Sequence, residues 1–111
     1  MKDANVEGRV ARGVKFLDAQ LPGWYRKVSL VELQMNLTCQ CVLGQIFGHY
    51  ADGLETLDIS NNRAIEMGFD SNINARDVMG RWDPEPQGAE FNILTSVWRR
   101  VIAERQKKEI K

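Results

Sequence analysis

The sequence predicts a mainly α-helical fold: a compact small domain covering residues 1–111, with a central buried helix and a long loop before the C-terminal helix. Three observations lead there. Apolar residues recur at steps of three and four near both ends of the chain, a densely apolar block from Cys41 to Phe47 lies between them, and alternating stretches suffice at most for a minor short strand pair. A chain of 111 residues can bury one core of moderate size, which excludes barrels, classical dinucleotide folds and two-domain enzymes.

The first element is an amphipathic helix. Val6, Val10, Val14, Leu17 and Leu21 form one apolar stripe, with Glu7, Arg9, Arg12, Lys15 and Asp18 assigned to its solvated surface. Gly8 and Gly13 each weaken such a helix by about 1 kcal/mol relative to Ala, so its stability must come from docking. Pro22 and Gly23 end it. Residues 28–35 admit two readings: a helical turn opened by a Ser29 to Glu32 capping box that carries Leu30 and Leu33 inward, which is preferred, or a strand.

Thr38 is placed as the cap of the central helix, on which Leu43, Phe47 and Tyr50 share a face widened by Val42 and Ile46, and Asp52-Gly53 breaks it. Asn61 or Asn62 then caps a short helix running to Met67, closed by Gly68 in the left-handed conformation with Phe69 folding back. From Ser71 to Gln87 turn chemistry surrounds a small apolar island, Val78, Met79 and Trp82, and this is read as a long loop or insertion. Phe91, Leu94, Trp98, Val101, Ile102 and Arg105 mark the last helix, with Glu90, Arg99, Arg100 and Glu104 on its polar face and residues 106–111 as a frayed basic tail.

Leu21-Pro22-Gly23-Trp24, the block Cys41-Val42-Leu43-Gly44-Gln45-Ile46-Phe47-Gly48, and Ala64-Ile65-Glu66-Met67-Gly68-Phe69 together resemble a group of small uncharacterised cytoplasmic proteins of actinobacteria and their phages. The specific part is the CVLGQ-x-FG block. The resemblance covers residues 17–69 and part of the last helix, and implies a bacterial or phage cytoplasmic setting; it implies no activity.

Candidate chemistry is sparse. Cys39 and Cys41 have C-x-C spacing and the chain has a single histidine, His49, which falls short of a structural zinc set, so no metal and no cofactor is expected. A thiol in a first helical turn has a lowered pKa, yet His49 lies eight residues beyond Cys41, about 12 Å along a continuous helix and too far for proton transfer. Neither G-x-x-x-x-G-K-[ST] nor G-x-G-x-x-G occurs. No apolar run approaches the roughly 18 residues of a membrane span, and the N-terminus lacks a signal-like apolar stretch, so a cytoplasmic location with no membrane partner is expected.

Fifteen basic against fifteen acidic side chains give no overall bias toward nucleic acid. The segment from Arg99 to Lys111 nevertheless carries six basic and two acidic residues. Arg99, Arg100, Arg105, Lys107 and Lys108 are therefore the candidate residues for the alternative function, a nucleic-acid-binding regulator. The favoured function is a small non-enzymatic protein-interaction module, a modulator of a host protein if phage-encoded. Its expected contact residues are Arg76, Arg81 and Trp82 with Val78 and Met79, facing a protein partner or a second copy of the chain. Loops beyond roughly 12 to 15 residues are uncommon unless functional, and aromatic anchors dominate interfaces. An aromatic on a loop is either pinned onto the core as a cover or displayed as an anchor; Trp82 admits both readings, whereas Trp24 is expected to cover the core.

Overall fold

The computed structural model describes residues 2–73 and 79–109. Among them five α-helices form, α1 (Lys2–Gln20), α2 (Val42–Phe47), α3 (Tyr50–Leu57), α4 (Asn61–Glu66) and α5 (Glu85–Glu109), with a 3₁₀ turn at Trp24–Lys27. The fold is mainly α; among the described residues no strand forms, and strand-type pairing is limited to a single bridge at Trp82.

The expected stripe of α1 is real: Val6, Val10 and Leu17 are buried, and Val14 and Leu21 pack against the same cluster. Gly23 at φ 84° supplies the left-handed turn after Pro22. Opposite α1 lies α5, whose row Leu94, Trp98 and Ile102 is fully buried. Trp98 is the centre of the molecule. Its ring stacks on Phe69 at 5.5 Å with an interplanar angle of 14°, meets Trp24 edge-on at 5.9 Å, and donates its indole N–H to the Gly68 carbonyl at 2.7 Å. Trp24 is a core residue as expected, only 1% exposed, with its N–H on Asp18 at 3.0 Å.

The end of α4 is a Schellman motif. The amides of Gly68 and Phe69 donate to the carbonyls of Ile65 and Ala64 at 3.1 and 2.9 Å, and Gly68 takes φ 76°. The start differs from expectation, because Ser60 rather than Asn61 or Asn62 caps the helix, accepting from the Arg63 amide. Serine is as good an N-cap as asparagine, so composition alone does not separate them.

The central helix needs a larger correction. Thr38 does not cap it; the Cys41 sulfur accepts from the Gly44 amide at 3.3 Å, and the Thr38 carbonyl instead takes the Tyr50 amide at 2.8 Å. The helix also stops at Phe47, since Gly48 at φ 96° turns the chain and His49 caps a separate helix that runs through Asp52-Gly53. Gly53 lets α3 close on α2: a Cβ there would sit 3.0 Å from Leu43 and Phe47. Phe47 is half-buried, and α2 packs chiefly on α3 and the 3₁₀ turn, whereas α1 and α5 pack on each other.

Residues 28–35 form neither a helix nor a strand. A single turn closed by the Leu33 amide on the Leu30 carbonyl (3.4 Å) still carries Leu33 inward. Long polar side chains replace regular structure as backbone partners here. Gln45 bridges both backbone groups of Ser29 and the Gln40 carbonyl, Gln106 donates to the carbonyls of Tyr25 and Val28, and Thr95 accepts from the Met35 amide.

Finally, α5 begins at Glu85, earlier than the loop assignment of residues 71–87 allowed. Pro86 lies in the first turn, where a missing N–H costs nothing, and the Asp83 carboxylate accepts from the Glu85 amide at 3.4 Å. Loop-like composition thus encodes a helix start.

Gly8 and Gly13 provide a sharp test of this packing. A Cβ on Gly8 meets only Arg12 Nη1, at 3.8 Å, whereas one on Gly13 would lie 2.1 Å from the Met67 carbonyl oxygen and 3.1 Å from the Trp98 ring. In urea denaturation Gly8→Ala should raise stability by up to about 1 kcal/mol, while Gly13→Ala should lower it by about 1 to 3 kcal/mol. Equal shifts of the same sign would contradict the packing described.

Candidate functional site

The connection from Ser71 to Pro84 is held at its two ends by different means. At its start, the Asp70 carboxylate accepts from the Ser71 amide (2.8 Å), the Ser71 hydroxyl from the Ile73 amide (3.0 Å), and Glu90 Oε1 from the Asn72 amide (2.5 Å). Gln87 of α5 adds a bond to the Ile73 carbonyl at 2.9 Å. At its end stands the Asp83 cap of α5.

The anchor beneath this start is an ion pair that the sequence assignment put on the surface. Arg9 is 3% exposed and Glu90 7%. Arg9 donates to the carbonyls of Ile65 and Asp70, both at 2.8 Å, and places Nη1 3.6 Å from Glu90 Oε2. One guanidinium thereby ties α1 to α4, to the entry of the connection and to α5. A signal for it does exist in the sequence. Glu90 heads the i, i+4 row of Leu94, Trp98 and Ile102, and Arg9 borders the Val6-Val10 stripe, so both project toward the core.

Of the expected contact residues, Trp82 and Met79 are displayed, 67% and 75% exposed, and Arg81 is exposed as well. Arg76 and Val78 lie outside the described residues. Trp82 contrasts with the other tryptophans, 1% and 0% exposed.

Three of the basic residues of α5 bond within the chain, Arg99 and Arg100 while remaining exposed and Arg105 half-buried. Arg99 donates to the Leu33 carbonyl at 3.0 Å, Arg100 chelates Glu7 at 2.5 and 3.0 Å, and Arg105 chelates Asp18 at 2.6 and 3.0 Å while lying 5.4 Å from the centre of the Tyr25 ring. They stitch α5 to α1 and to the segment after the 3₁₀ turn. Lys107 and Lys108 are exposed and make no ion pair among the described residues.

The separation expected between the cysteines and His49 along a continuous helix does not apply. The chain turns at Gly48, and the Tyr50 amide on the Thr38 carbonyl brings the segment of His49 back to that of Cys39. Cys41 is buried, and burial pushes its thiol above the usual range, which disfavours the thiolate a nucleophile needs. Cys39 is exposed, and His49 Nδ1 accepts from the Ala51 amide as the cap of α3. A hollow of about 190 Å³ lies between Cys41, Tyr50, Phe69 and Asp70. The Tyr50 hydroxyl, with one proton to give, lies 2.8 Å from Asn61 Oδ1 and 3.2 Å from Asp70 Oδ2, and its ionisation is pushed upward chiefly by burial and then by the Asp70 charge. No group of three or more histidine, cysteine or carboxylate side chains placed to hold a metal occurs among the described residues. No helix among them is long and apolar enough to cross a membrane.

Comparison with family models, with curated proteins and with solved structures gives no match to this chain.

Two predictions follow from these ion pairs. Arg9→Met leaves the Glu90 carboxylate buried without its cation and should cost about 3 to 5 kcal/mol in denaturant unfolding, whereas a mutant melting like the parent would show that the pair is solvated. The second concerns acid. Arg105 chiefly, with a smaller contribution from the Trp24 indole and against the opposing effect of burial, holds Asp18 below the ordinary carboxylate range. The stabilisation this gives is complete above the ordinary carboxylate pKa, about 4, and is lost as pH falls through the lower folded-state value. Asp18→Asn should therefore flatten the fall in melting temperature below about pH 4; an unchanged acid limb would mean that the pair contributes nothing.

Proposed function

We propose that this protein is a non-enzymatic protein-interaction module whose contact surface is the connection between Ser71 and Pro84, with Trp82 as its main anchor. The observation that carries this is the exposure of Trp82 and Met79, in a chain that buries its other tryptophans. Aromatic and methionine side chains displayed together are the composition of interface cores. The buried anchor at the start of the connection fixes Asp70 to Asn72, and α5 begins at Glu85, just after Trp82, which lowers the ordering cost of binding. The raised thiol of Cys41 and the capping role of His49 support the non-catalytic part of the reading. The CVLGQ-x-FG block supports an actinobacterial or phage setting, in which the partner is a host protein.

The nucleic-acid reading gains no support from α5, because Arg99, Arg100 and Arg105 are engaged within the chain.

The test is quantitative capture of a partner from an actinobacterial lysate by the tagged protein, followed by titration of that partner against variants. Trp82→Ala should weaken binding by about 2 kcal/mol or more and leave the melting temperature within a few degrees of the parent. Undiminished affinity would place the interface elsewhere, and if the variant also unfolds while its folded fraction binds as before, Trp82 is a core cover. Concentration-dependent sedimentation that Trp82→Ala abolishes would identify a second copy of the chain as the partner.

A further inference from the structure

Beside its buried stripe, α1 carries a second one: Arg9, Arg12, Phe16 and Ala19 recur at steps of three, four and three and run along α4. Between the two helices lies a hollow of about 330 Å³ whose floor is Phe16, Ala19 and Met67 and whose rim is Arg12, Lys15 and Arg63. Arg12 also lines a second hollow of about 410 Å³, which is mainly polar, with Arg9, Asn62, Glu66 and Asn72 beside Ile65. The first hollow is an apolar trough with a cationic rim.

The charge of this trough is one-sided. Arg12, Lys15 and Arg63 are all exposed, while the Glu66 carboxylate, which lines the second hollow, lies 3.4 Å from Arg63. Arg12 uses its Nε on the Glu66 carbonyl at 3.0 Å, and Lys15 makes no ion pair among the described residues. In a chain of zero net charge, this is a local excess of positive charge set around an apolar strip. An apolar floor offers nothing to a phosphate backbone, and cations offer nothing to a purely apolar segment. A partner helix with one apolar face and flanking carboxylates satisfies both.

We propose that the α1–α4 trough is a docking site for an acidic amphipathic helix of a partner protein, with apolar side chains on Phe16 and Ala19 and carboxylates on Arg12, Lys15 and Arg63. This site is separate from the Trp82 surface and does not depend on it.

Fluorescence anisotropy with a labelled amphipathic peptide of leucine and glutamate tests the proposal on the intact chain. Saturable binding is expected, weakened about tenfold by Lys15→Glu and likewise by Arg63→Glu, with circular-dichroism melts like the parent's and with Trp82→Ala binding unchanged. Replacing the leucines of the peptide by serine should abolish binding, as should replacing its glutamates by lysine. No binding of the leucine–glutamate peptide, equal binding of the serine peptide, full competition by duplex DNA, or indifference to both charge reversals would each overturn the proposal. Loss of binding in Trp82→Ala would do so too, because it would place the peptide on the other surface.

Discussion

The burial of one indole organises this protein. Trp98 is too large to enter a small core unless neighbouring backbones come close, and its N–H must find an acceptor once water is excluded. Both requirements are met by glycines. Gly13 removes the Cβ that would strike the Met67 carbonyl and the indole ring, and Gly68 supplies the acceptor while taking the left-handed conformation that closes α4. The packing of α5 on α1, the placement of α4, and the inward fold of Phe69 and Trp24 are consequences of the same contact.

That contact also determines what is displayed. Glu90 lies two helical steps up the same row of α5 from Trp98, so the burial of the row brings its carboxylate into the interior, where Arg9 meets it. A buried charge pair is poor evidence for stability in itself, since desolvation offsets much of the attraction. Its contribution is positional: the Glu90 carboxylate and the Arg9 guanidinium take the backbone groups at Asp70 and Asn72 and so direct the chain into the connection that carries Met79 and Trp82. Two arginines of α5 serve cohesion in a similar way, Arg100 pairing with Glu7 and Arg105 with Asp18 of α1.

Much of this was legible in the sequence where a periodic pattern met a single partner. The stripe of α1, the apolar row of α5, the glycine closure of α4 and the core position of Trp24 all follow from spacing and turn chemistry. The central helix was not legible, because Gly48 reads equally as a close-packing residue and as a turn, and only the fold shows it at positive φ with nothing near its Cβ position. Pro84-Glu85-Pro86 misled in the opposite direction, since the residues that mark loops also tolerate the first turn of a helix. Of the candidate site, Trp82 was open to reading as a core cover or as a displayed anchor, and the fold shows it exposed. The Arg9–Glu90 anchor was not legible, because charged residues default to the surface and, although each borders an apolar row, nothing in the sequence says that the two pair. The trough between α1 and α4 is hidden for the same reason, because its two walls come from distant segments.

The most direct test of this account is the hydrogen exchange of the Trp98 indole N–H, followed by NMR alongside the slowest backbone amides of α1 and α5. If the buried bond to the Gly68 carbonyl holds the helices together, that proton exchanges only through global unfolding, with the same free energy as the slowest amides. Exchange through a local opening of much lower free energy, while those amides stay protected, would show that the helices remain packed without Trp98 and would contradict the account.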